Sequence, residues 1–203
     1  MTWVVKEEAE DLRTSIDTTE DLFLLETDVT DAASIANGIE EVTKALGPVE
    51  GLVHLVGGWK GGTPVHELPL EVWDRMLDLN LRTAMLCCRA VLPSMREAGW
   101  GRIVLVSSRT ARESRSGQAA YAIAKAGVSV LAETIAEENR GIDVTANVVA
   151  PSTLDTPANR AAVPEADFNA WVPTSDVAAS ISFLVSQEAG QLRGAWLPVY
   201  GSA

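Results

Sequence analysis

Three side chains in the middle of the sequence have the types and spacing needed for proton transfer. Tyr121 precedes Lys125 by four residues in YAIAK, an alanine-rich stretch with the composition of a helix. At that spacing the phenol and the ammonium lie on one helical face, about one turn apart. A fixed positive charge favours the phenolate, so we expect Lys125 to lower the pKa of Tyr121 from its usual value of about 10. Tyr121 would then exchange a proton near neutral pH, while Ser108, thirteen residues earlier, hydrogen-bonds an oxygen of the substrate.

Each of these residues also has an ordinary structural explanation. A Tyr-x-x-x-Lys pair on its own is common by chance and is typical of a helix surface. A serine at the end of a strand, such as Ser108, is often a cap or turn residue. Asn80, a polar residue in the mostly apolar stretch MLDLNLRTAM, can simply bond a neighbouring carbonyl. The functional interpretation therefore depends on the whole set and on its order along the chain.

The elements that must position this set are predicted as alternating strands and helices. Six apolar, β-branched runs indicate strands, and most are continuous rather than alternating, as in a parallel sheet covered on both faces. They are Trp3–Val5, Leu22–Glu26, Gly51–Val56, Arg102–Val106, Val144–Val149 and Ala195–Val199. The helices between them begin at Thr30 or Asp31, Leu70, Gln118, and Thr174 or Ser175, and end near Gly47, Glu97, Asn139 and Gln187. This alternation predicts one α/β domain, residues 1–203, with a doubly wound, mostly parallel, Rossmann-like sheet.

The segment GGWKGG, residues 57–62, follows the strand predicted at 51–56. It is not a Walker-type phosphate loop, because Thr63 and Pro64 follow its last glycine where Lys and then Ser or Thr are needed. Ligands of doubly wound sheets bind at the carboxyl ends of the strands. Since glycine lets the backbone approach a flat ligand, we interpret the loop as the floor of a cofactor site, with a flexible turn as the alternative.

Composition and charge exclude several classes of function. The formal charge of −12 and a pI of about 4.6 oppose binding to nucleic acid or to an anionic membrane. No apolar run approaches the roughly 18 residues of a spanning helix, and we expect no secretory signal at the start. Cys87 and Cys88 are predicted to be buried thiols in a reducing cytoplasm rather than a disulfide or metal pair. With His54 and His66 as the only histidines, we expect no metal site.

Taken together, the motifs from about residue 20 to the end resemble the short-chain dehydrogenases/reductases. The matching segments are DV at 28–29, LVHLVGG, Asn80, GRIVLVSS, YAIAKAG, NVVAPSTLDTP and GAWLPVYG. The resemblance implies that Tyr121 is the general acid/base and that Lys125 lowers its pKa and holds the nicotinamide ribose. It also implies that Ser108 orients the substrate oxygen and that Asn80 anchors a water in a proton relay.

The same resemblance implies NAD or NADP as the cofactor, with the choice between them left open. The cofactor would supply the hydride and the protein the geometry and electrostatics. Asp28 and Val29 would frame the adenine, and Thr156 would meet the nicotinamide carboxamide. The cofactor-binding residues implied in this way are Asp28, Val29, Gly57, Gly58, Tyr121, Lys125, Pro151 and Thr156.

Two longer segments, GGWKGG and TLDTPANRAAVPEADFNAW, resemble dihydropteridine reductase and its bacterial relatives. This narrower resemblance implies a small carbonyl, hydroxyl or pterin-like substrate. It also makes Trp59 a candidate wall of the substrate pocket, with a core aromatic as the alternative.

The chain departs from the family pattern at its start. The family opens with a strand, a glycine-rich turn and a helix that bind the cofactor pyrophosphate, whereas the first glycine here is Gly38. We therefore expect an N-terminally truncated fold that lacks roughly thirty residues of this unit and its central strand. Either Trp3–Val5 fills the vacancy, or the sheet is damaged, or the start codon is placed too late. The expected consequence is weak or absent NAD(P) binding by the chain as given.

Two functions remain open at this point. One is an NAD(P)-dependent oxidoreductase acting on a small molecule, favoured by the set Asn80, Ser108, Tyr121 and Lys125. The other is a non-catalytic relative that acts as a binding or assembly protein, favoured by the absent glycine turn. In either case, the long amphipathic helices predicted at 70–97 and 118–139 indicate a homodimer or homotetramer through a four-helix interface.

Overall fold

The computed structural model describes residues 12, 14 and 22–202. Helices and strands alternate along this part of the chain, as the sequence predicts. They are α1 (Ala32–Leu46), β1 (Gly51–His54), α2 (Leu70–Leu77), α3 (Thr83–Ala98), β2 (Trp100–Val106), α4 (Ala119–Glu138), β3 (Asp143–Pro151), β4 (Leu154–Asp155), α5 (Pro157–Ala162), β5 (Val172–Pro173), α6 (Thr174–Leu184) and β6 (Trp196–Val199). A π-helical turn, Asp78–Arg82, joins α2 to α3, and short 3-10 turns lie at Val65–Glu67, Arg109–Ala111 and Phe168–Ala170.

Four parallel strands form the main sheet, in the order β1-β2-β3-β6. The two middle strands are buried along nearly their whole length. A strand covered on both faces needs apolar side chains at successive positions, which explains why these segments do not alternate in polarity. The predicted fold class, a doubly wound and mostly parallel α/β sheet, is confirmed, with four of the predicted strands in place.

Helices cover both faces of this sheet. Ile103 and Leu105 of β2 pack with residues of α3 and α4 in one core cluster. Val104, between them, packs on the opposite face against Val177 and Leu184 of α6. The main core therefore lies between the sheet and the α3–α4 pair, and α4 also carries Tyr121 and Lys125 of the candidate site.

The other two predicted strands stand differently. Trp3–Val5 lies outside the described residues. Residues 22–28 have no regular secondary structure, so the strand predicted at Leu22–Glu26 is wrong. Apolar composition does not make a strand unless a neighbour pairs with its backbone N–H and C=O groups, and no described strand pairs with this segment.

The predicted helix boundaries agree with the structure at α1, whereas the predicted cap of α6 does not. Asp31 caps α1 by accepting hydrogen bonds from the Ala33 and Ser34 N–H groups, and Gly47 ends it. At α6, neither Thr174 nor Ser175 acts as the cap, because the helix already begins at Thr174 and Pro173 precedes it without a side-chain cap.

Helix α4 has an unexpected property. By length and composition it is apolar enough to cross a membrane, although its sequence contains no uninterrupted apolar run of that length. In the structure it packs along the sheet, with Val128, Ala132 and Ile135 in the main core cluster. Packing on the sheet therefore accounts for part of its apolar character.

Candidate active site

The candidate active site lies where the carboxyl end of β2 meets the first turns of α4. Because α4 begins at Ala119, Tyr121 and Lys125 fall in its first two turns. The Lys125 ammonium donates a hydrogen bond of 2.9 Å to the carbonyl of Val106, the last residue of β2. Its Nζ lies 5.9 Å from the centre of the Tyr121 ring, and the residue is only 5% exposed. The structure thus brings together Tyr121 and Lys125, as their four-residue spacing predicts.

Burial has the largest effect on the titration of both groups. It lowers the pKa of Lys125 to about 8, because removal from water disfavours the charged form. It raises the pKa of Tyr121 above its ordinary value, while a hydrogen bond with Ser108 opposes that rise. The predicted lowering of the Tyr121 pKa by Lys125 is therefore wrong for this structure. Tyr121 is a neutral phenol here, with a proton to donate.

Two serines at the end of β2 have different tasks. Ser108 caps the 3-10 turn Arg109–Ala111, accepting a 3.3 Å hydrogen bond from the Thr110 N–H, and its hydroxyl also acts to lower the pKa of Tyr121. Ser107, which the sequence analysis passed over, is buried and donates a 2.7 Å hydrogen bond to the Lys125 carbonyl. Ser107 therefore anchors α4 to the strand, so both members of the pair SS contribute to the site.

Asn80 lies in the π-helical turn and holds the glycine loop. Its Oδ1 accepts a hydrogen bond from the Gly58 N–H (3.1 Å), and its Nδ2 donates to the Gly58 carbonyl (3.0 Å). The same Nδ2 lies 3.0 Å from the Met76 carbonyl. The ordinary explanation, a bond to a neighbouring carbonyl, is thus present together with a clamp on the loop. Insertions of this kind in helices are frequent at functional sites.

The glycines at 57 and 58 are needed for close approach to protein side chains. A Cβ on Gly57 would lie 2.7 Å from Asn80 Oδ1 and 3.1 Å from Lys125 Nζ. A Cβ on Gly58 would lie 2.9 Å from Leu79 Cδ2. The loop can therefore pass over Asn80 and Lys125 only without side chains at these positions, which places its backbone at the candidate site.

Trp59 projects from this loop and is 62% exposed. This exposure excludes the alternative that Trp59 is a core aromatic. Part of its ring lies against Gly61, where a Cβ would approach the ring to 3.0 Å. The Gly62 N–H then donates a 2.8 Å hydrogen bond to the Gly117 carbonyl, which ties the glycine loop to the segment leading into α4.

Four further residues were predicted to bind the cofactor, and each makes contacts within the protein: Asp28, Val29, Pro151 and Thr156. Asp28 Oδ1 accepts hydrogen bonds from the Thr30 N–H and hydroxyl, which lower the pKa of its carboxyl group. The Val29 side chain is buried in a core cluster. The predicted contact with the adenine would therefore have to come from the Val29 backbone. Pro151 ends β3 in a buried position, and Thr156 caps α5 by accepting from the Asn159 N–H.

The hydrogen-bond donors of the Lys125 ammonium suit a ligand that is rich in hydroxyl groups. An ammonium has three N–H donors, and the structure shows one of those of Lys125 bound to the Val106 carbonyl. A buried cation is stable only when its other donors are also satisfied. The ribose hydroxyls of a nicotinamide nucleotide are acceptors of the required kind, so the residues present fit the cofactor that the sequence resemblance implies.

Comparison with known proteins decides the family. The sequence model of the short chain dehydrogenase family matches residues 2–167. The chain belongs to this family. The family is one of oxidoreductases that use NAD or NADP. This agrees with the hydrogen-bond donors that the Lys125 ammonium offers to ribose hydroxyls.

Individual relatives of this short-chain dehydrogenase have several substrates. The chain is 35% identical over 130 residues to 2-dehydro-3-deoxy-L-rhamnonate dehydrogenase (NAD(+)) of Sphingomonas sp. strain SKA58, covering 64% of this chain but only 52% of that protein. It is 33% identical to the 3-oxoacyl-(acyl-carrier-protein) reductase MabA of Mycobacterium tuberculosis strain H37Rv, covering 89% of this chain and 76% of MabA. A solved structure of ElxO with NADP bound superposes with a TM-score of 0.90 at 22% identity, over 98% of this chain and 86% of ElxO. The last comparison shows a shared fold.

Proposed function

We propose that this protein transfers a hydride between NAD(P)(H) and a carbonyl or hydroxyl group of a small substrate, with Tyr121 as the acid/base. The observation that carries the proposal is that four groups lie close together at one end of β2. Lys125 is anchored to the strand and lies beside both Tyr121 and Gly57, while the Ser108 hydroxyl lowers the pKa of the phenol. This arrangement joins a proton donor, a fixed cation and a hydroxyl donor in a largely buried site.

Each residue has a distinct task in this proposal. The bound cofactor supplies or accepts the hydride. Tyr121, protonated in this structure, donates its proton to the carbonyl oxygen during reduction. Ser108 hydrogen-bonds the same oxygen and keeps it within reach, and the charge of Lys125 stabilises the phenolate that Tyr121 becomes. Asn80 holds the Gly58 backbone in place beside them.

Within this reaction class we favour a planar, pterin-like substrate. The segments GGWKGG and TLDTPANRAAVPEADFNAW support this choice, as does the exposed ring of Trp59 on the loop next to Lys125. An exposed indole offers a flat surface on which a heterocycle stacks. The activities of the named relatives make 3-oxoacyl thioesters and sugar-acid derivatives the other classes to test.

The experiment is to follow NADH and NADPH oxidation with a quinonoid dihydropteridine, a 3-oxoacyl thioester and a simple ketone, at millimolar cofactor. Turnover of at least one substrate is expected, and Ser108→Ala should slow it by about 10²-fold. Ser94→Ala is the matched control, because its hydroxyl donates to the Val91 carbonyl of its own helix α3. Absence of turnover with every substrate, despite bound cofactor, would support the non-catalytic binding or assembly function instead.

The 203-residue chain is further proposed to bind NAD(P) weakly. Pyrophosphate binding in this family uses backbone N–H groups of a glycine turn at a helix N-terminus, and residues 1–37 contain no glycine. The net charge of −12 adds repulsion. Loss of two or three charge-assisted hydrogen bonds weakens binding by about three orders of magnitude. Calorimetric titration with NADH and NADPH should give a dissociation constant in the millimolar range, and a value below about ten micromolar would contradict the proposal.

A further inference from the structure

A buried histidine at position 54, shortly before the glycine loop at 57–62, takes no part in the scheme above. His54 is the last residue of β1 and is 5% exposed. Its Nε2 lies 3.1 Å from the hydroxyl of Thr83, a residue with no exposed surface. Thr83 in turn donates its hydroxyl proton to the Leu79 carbonyl at 2.7 Å. Since a hydroxyl has one proton, Thr83 must accept from His54, so Nε2 carries the ring proton.

This contact occurs where the helix changes its hydrogen-bond pattern. In an α-helix the Thr83 N–H would donate to the Leu79 carbonyl, four residues earlier. Here it donates to Asp78, five residues earlier, as part of the π-helical turn. The Thr83 hydroxyl thus donates to the carbonyl that its own N–H has left. The side chain of Thr83 stabilises the turn, and His54 fixes the direction in which that side chain donates.

The π-helical turn also sets the position of Asn80. Asn80 binds both the N–H and the carbonyl of Gly58. The segment between His54 and Gly58 is therefore tied to the helix at each end, at Thr83 and at Asn80. Gly57 lies inside this tied segment, where a Cβ would lie 2.7 Å from Asn80 Oδ1 and 3.1 Å from Lys125 Nζ.

The geometry points to His54 and Thr83 as positioning residues, which hold the π-helical turn so that Asn80 keeps the glycine loop against Lys125. This inference rests on the proposed function for its consequence in catalysis. The electrostatics agree with it. Burial lowers the pKa of His54 to about 4, and the charge of Lys125 adds to that effect. His54 is therefore neutral at physiological pH and available as an Nε2–H donor.

The tautomer gives a first test that does not depend on activity. The chain has only two histidines, and the side chain of His66 is 78% exposed. Imidazole nitrogen NMR at neutral pH therefore shows two rings, which His66→Gln assigns. We expect His54 to be a single Nε2–H tautomer in the wild type and a mixture of tautomers in Thr83→Val. A wild-type His54 protonated on Nδ1 would overturn the inference.

The second test is hydrogen exchange at the Gly58 N–H. Thr83→Val removes the hydroxyl without changing shape, and we expect it to speed this exchange by about tenfold, whereas Thr83→Ser should restore the wild-type rate. Thr145→Val is a matched control, because Thr145 is equally buried and its hydroxyl has no hydrogen-bond partner among the described residues. An unchanged Gly58 rate in Thr83→Val, or an equal change in Thr145→Val, would overturn the positioning role.

Kinetics then connect this role to the reaction. With a substrate that the wild type turns over, Thr83→Val should lower kcat by about tenfold and change KM by less than about twofold. His54→Leu should match it, and the double variant should be no worse than either single one. Wild-type kcat in Thr83→Val would refute the catalytic consequence. If the wild type turns over no substrate, the proposed function fails, and the exchange and tautomer results still decide the positioning role.

Discussion

Lys125 carries an ammonium in a place that disfavours charge. It is 5% exposed, and its pKa falls from 10.5 to about 8. A structural lysine would gain by reaching solvent, as long flexible side chains usually do. Here the side chain instead turns toward the end of β2, beside Tyr121 and Gly57. The protein therefore accepts a cost in stability at the position where the proposed reaction needs a cation.

This cost predicts a dependence of stability on pH. Between pH 8 and 10.5 the unfolded chain binds more protons at Lys125 than the folded one, so the free energy of unfolding rises with pH across this interval. The penalty is fully present below pH 8 and disappears as the pH approaches 10.5. The difference in unfolding free energy between wild type and Lys125→Met should change by about 1.4 kcal/mol per pH unit there.

Urea denaturation across that interval measures the difference. Subtracting the variant from the wild type removes the contributions of Cys87 and Cys88, whose pKa values burial raises to about 11 and about 12. Lys60→Met, at an exposed position of the glycine loop, is the matched control and should show no such slope. Equal pH dependence in the two variants would mean that Lys125 is not desolvated as described.

At the scale of elements, the end of the sheet opposite the site is tied together by Arg102. Its guanidinium is 1% exposed and binds both carboxylate oxygens of Asp143, at 2.9 and 3.2 Å. Its Nε donates to the Ser186 carbonyl, just after α6. One side chain of β2 thus holds β3 and the helix on the other face of the sheet. This contact keeps the strands in register, and the register determines how the site residues meet at the other end.

Arg102→Met should destabilise the fold by about 2–4 kcal/mol, because it leaves three backbone carbonyls, those of Gly101, Asp143 and Ser186, and a half-exposed carboxylate without their donor. Chemical denaturation gives the value directly. The comparison variant is Arg140→Met, whose ion pair with Glu137 is exposed on both sides and should contribute little to stability because water screens it. A loss at Arg102 no larger than at Arg140 would show that the buried contact does not hold the elements together.

Strands and helices were largely predictable because burial determines local composition. Strands covered on both faces need continuous apolar runs, and the Tyr121–Lys125 spacing is visible in any helix. The π-helical turn was not predictable, since one extra residue in MLDLNLRTAM leaves the composition helical. The roles of Ser107 and His54 were missed for a related reason. A polar residue in an apolar run signals a buried hydrogen bond, but its partner is known only from the fold.

The direction of the Tyr121 pKa shift could not be predicted from the sequence either. Spacing showed a neighbouring cation, whereas the depth of burial that outweighs it arises from the packing of α4 on the sheet. Strand pairing likewise depends on how the chain packs in three dimensions. The segment Leu22–Glu26 has strand composition but lacks a described pairing partner, and composition contains no information about partners.

At the scale of the whole molecule, helices α3 and α4 present an apolar surface. A groove between them is lined by Met85, Leu92 and Leu131, and Val130 beside it is 60% exposed. Exposed apolar surface on two long neighbouring helices is typical of an interface between subunits. The proposed assembly is a homodimer or homotetramer in which these helices pair with those of a second copy.

Analytical ultracentrifugation at micromolar concentration should therefore show a species of at least twice 21.6 kDa. Val130→Asp should shift the population toward the monomer, because an unpaired carboxylate is costly in an apolar interface. Phe183→Asp, at a similarly exposed position of α6, should leave the assembly unchanged. A wild type found only at 21.6 kDa would contradict the proposed assembly.

The central claim is that Tyr121 provides the proton for the reaction, and Tyr121→Phe tests it most directly. The change removes one hydroxyl and keeps the ring beside Lys125. With the substrate that the wild type reduces, at millimolar cofactor, kcat should fall by about 10²–10⁴-fold. Cofactor affinity and the unfolding midpoint should stay close to those of the wild type. A Tyr121→Phe enzyme that reduces the carbonyl at a near-normal rate would remove Tyr121 from the mechanism.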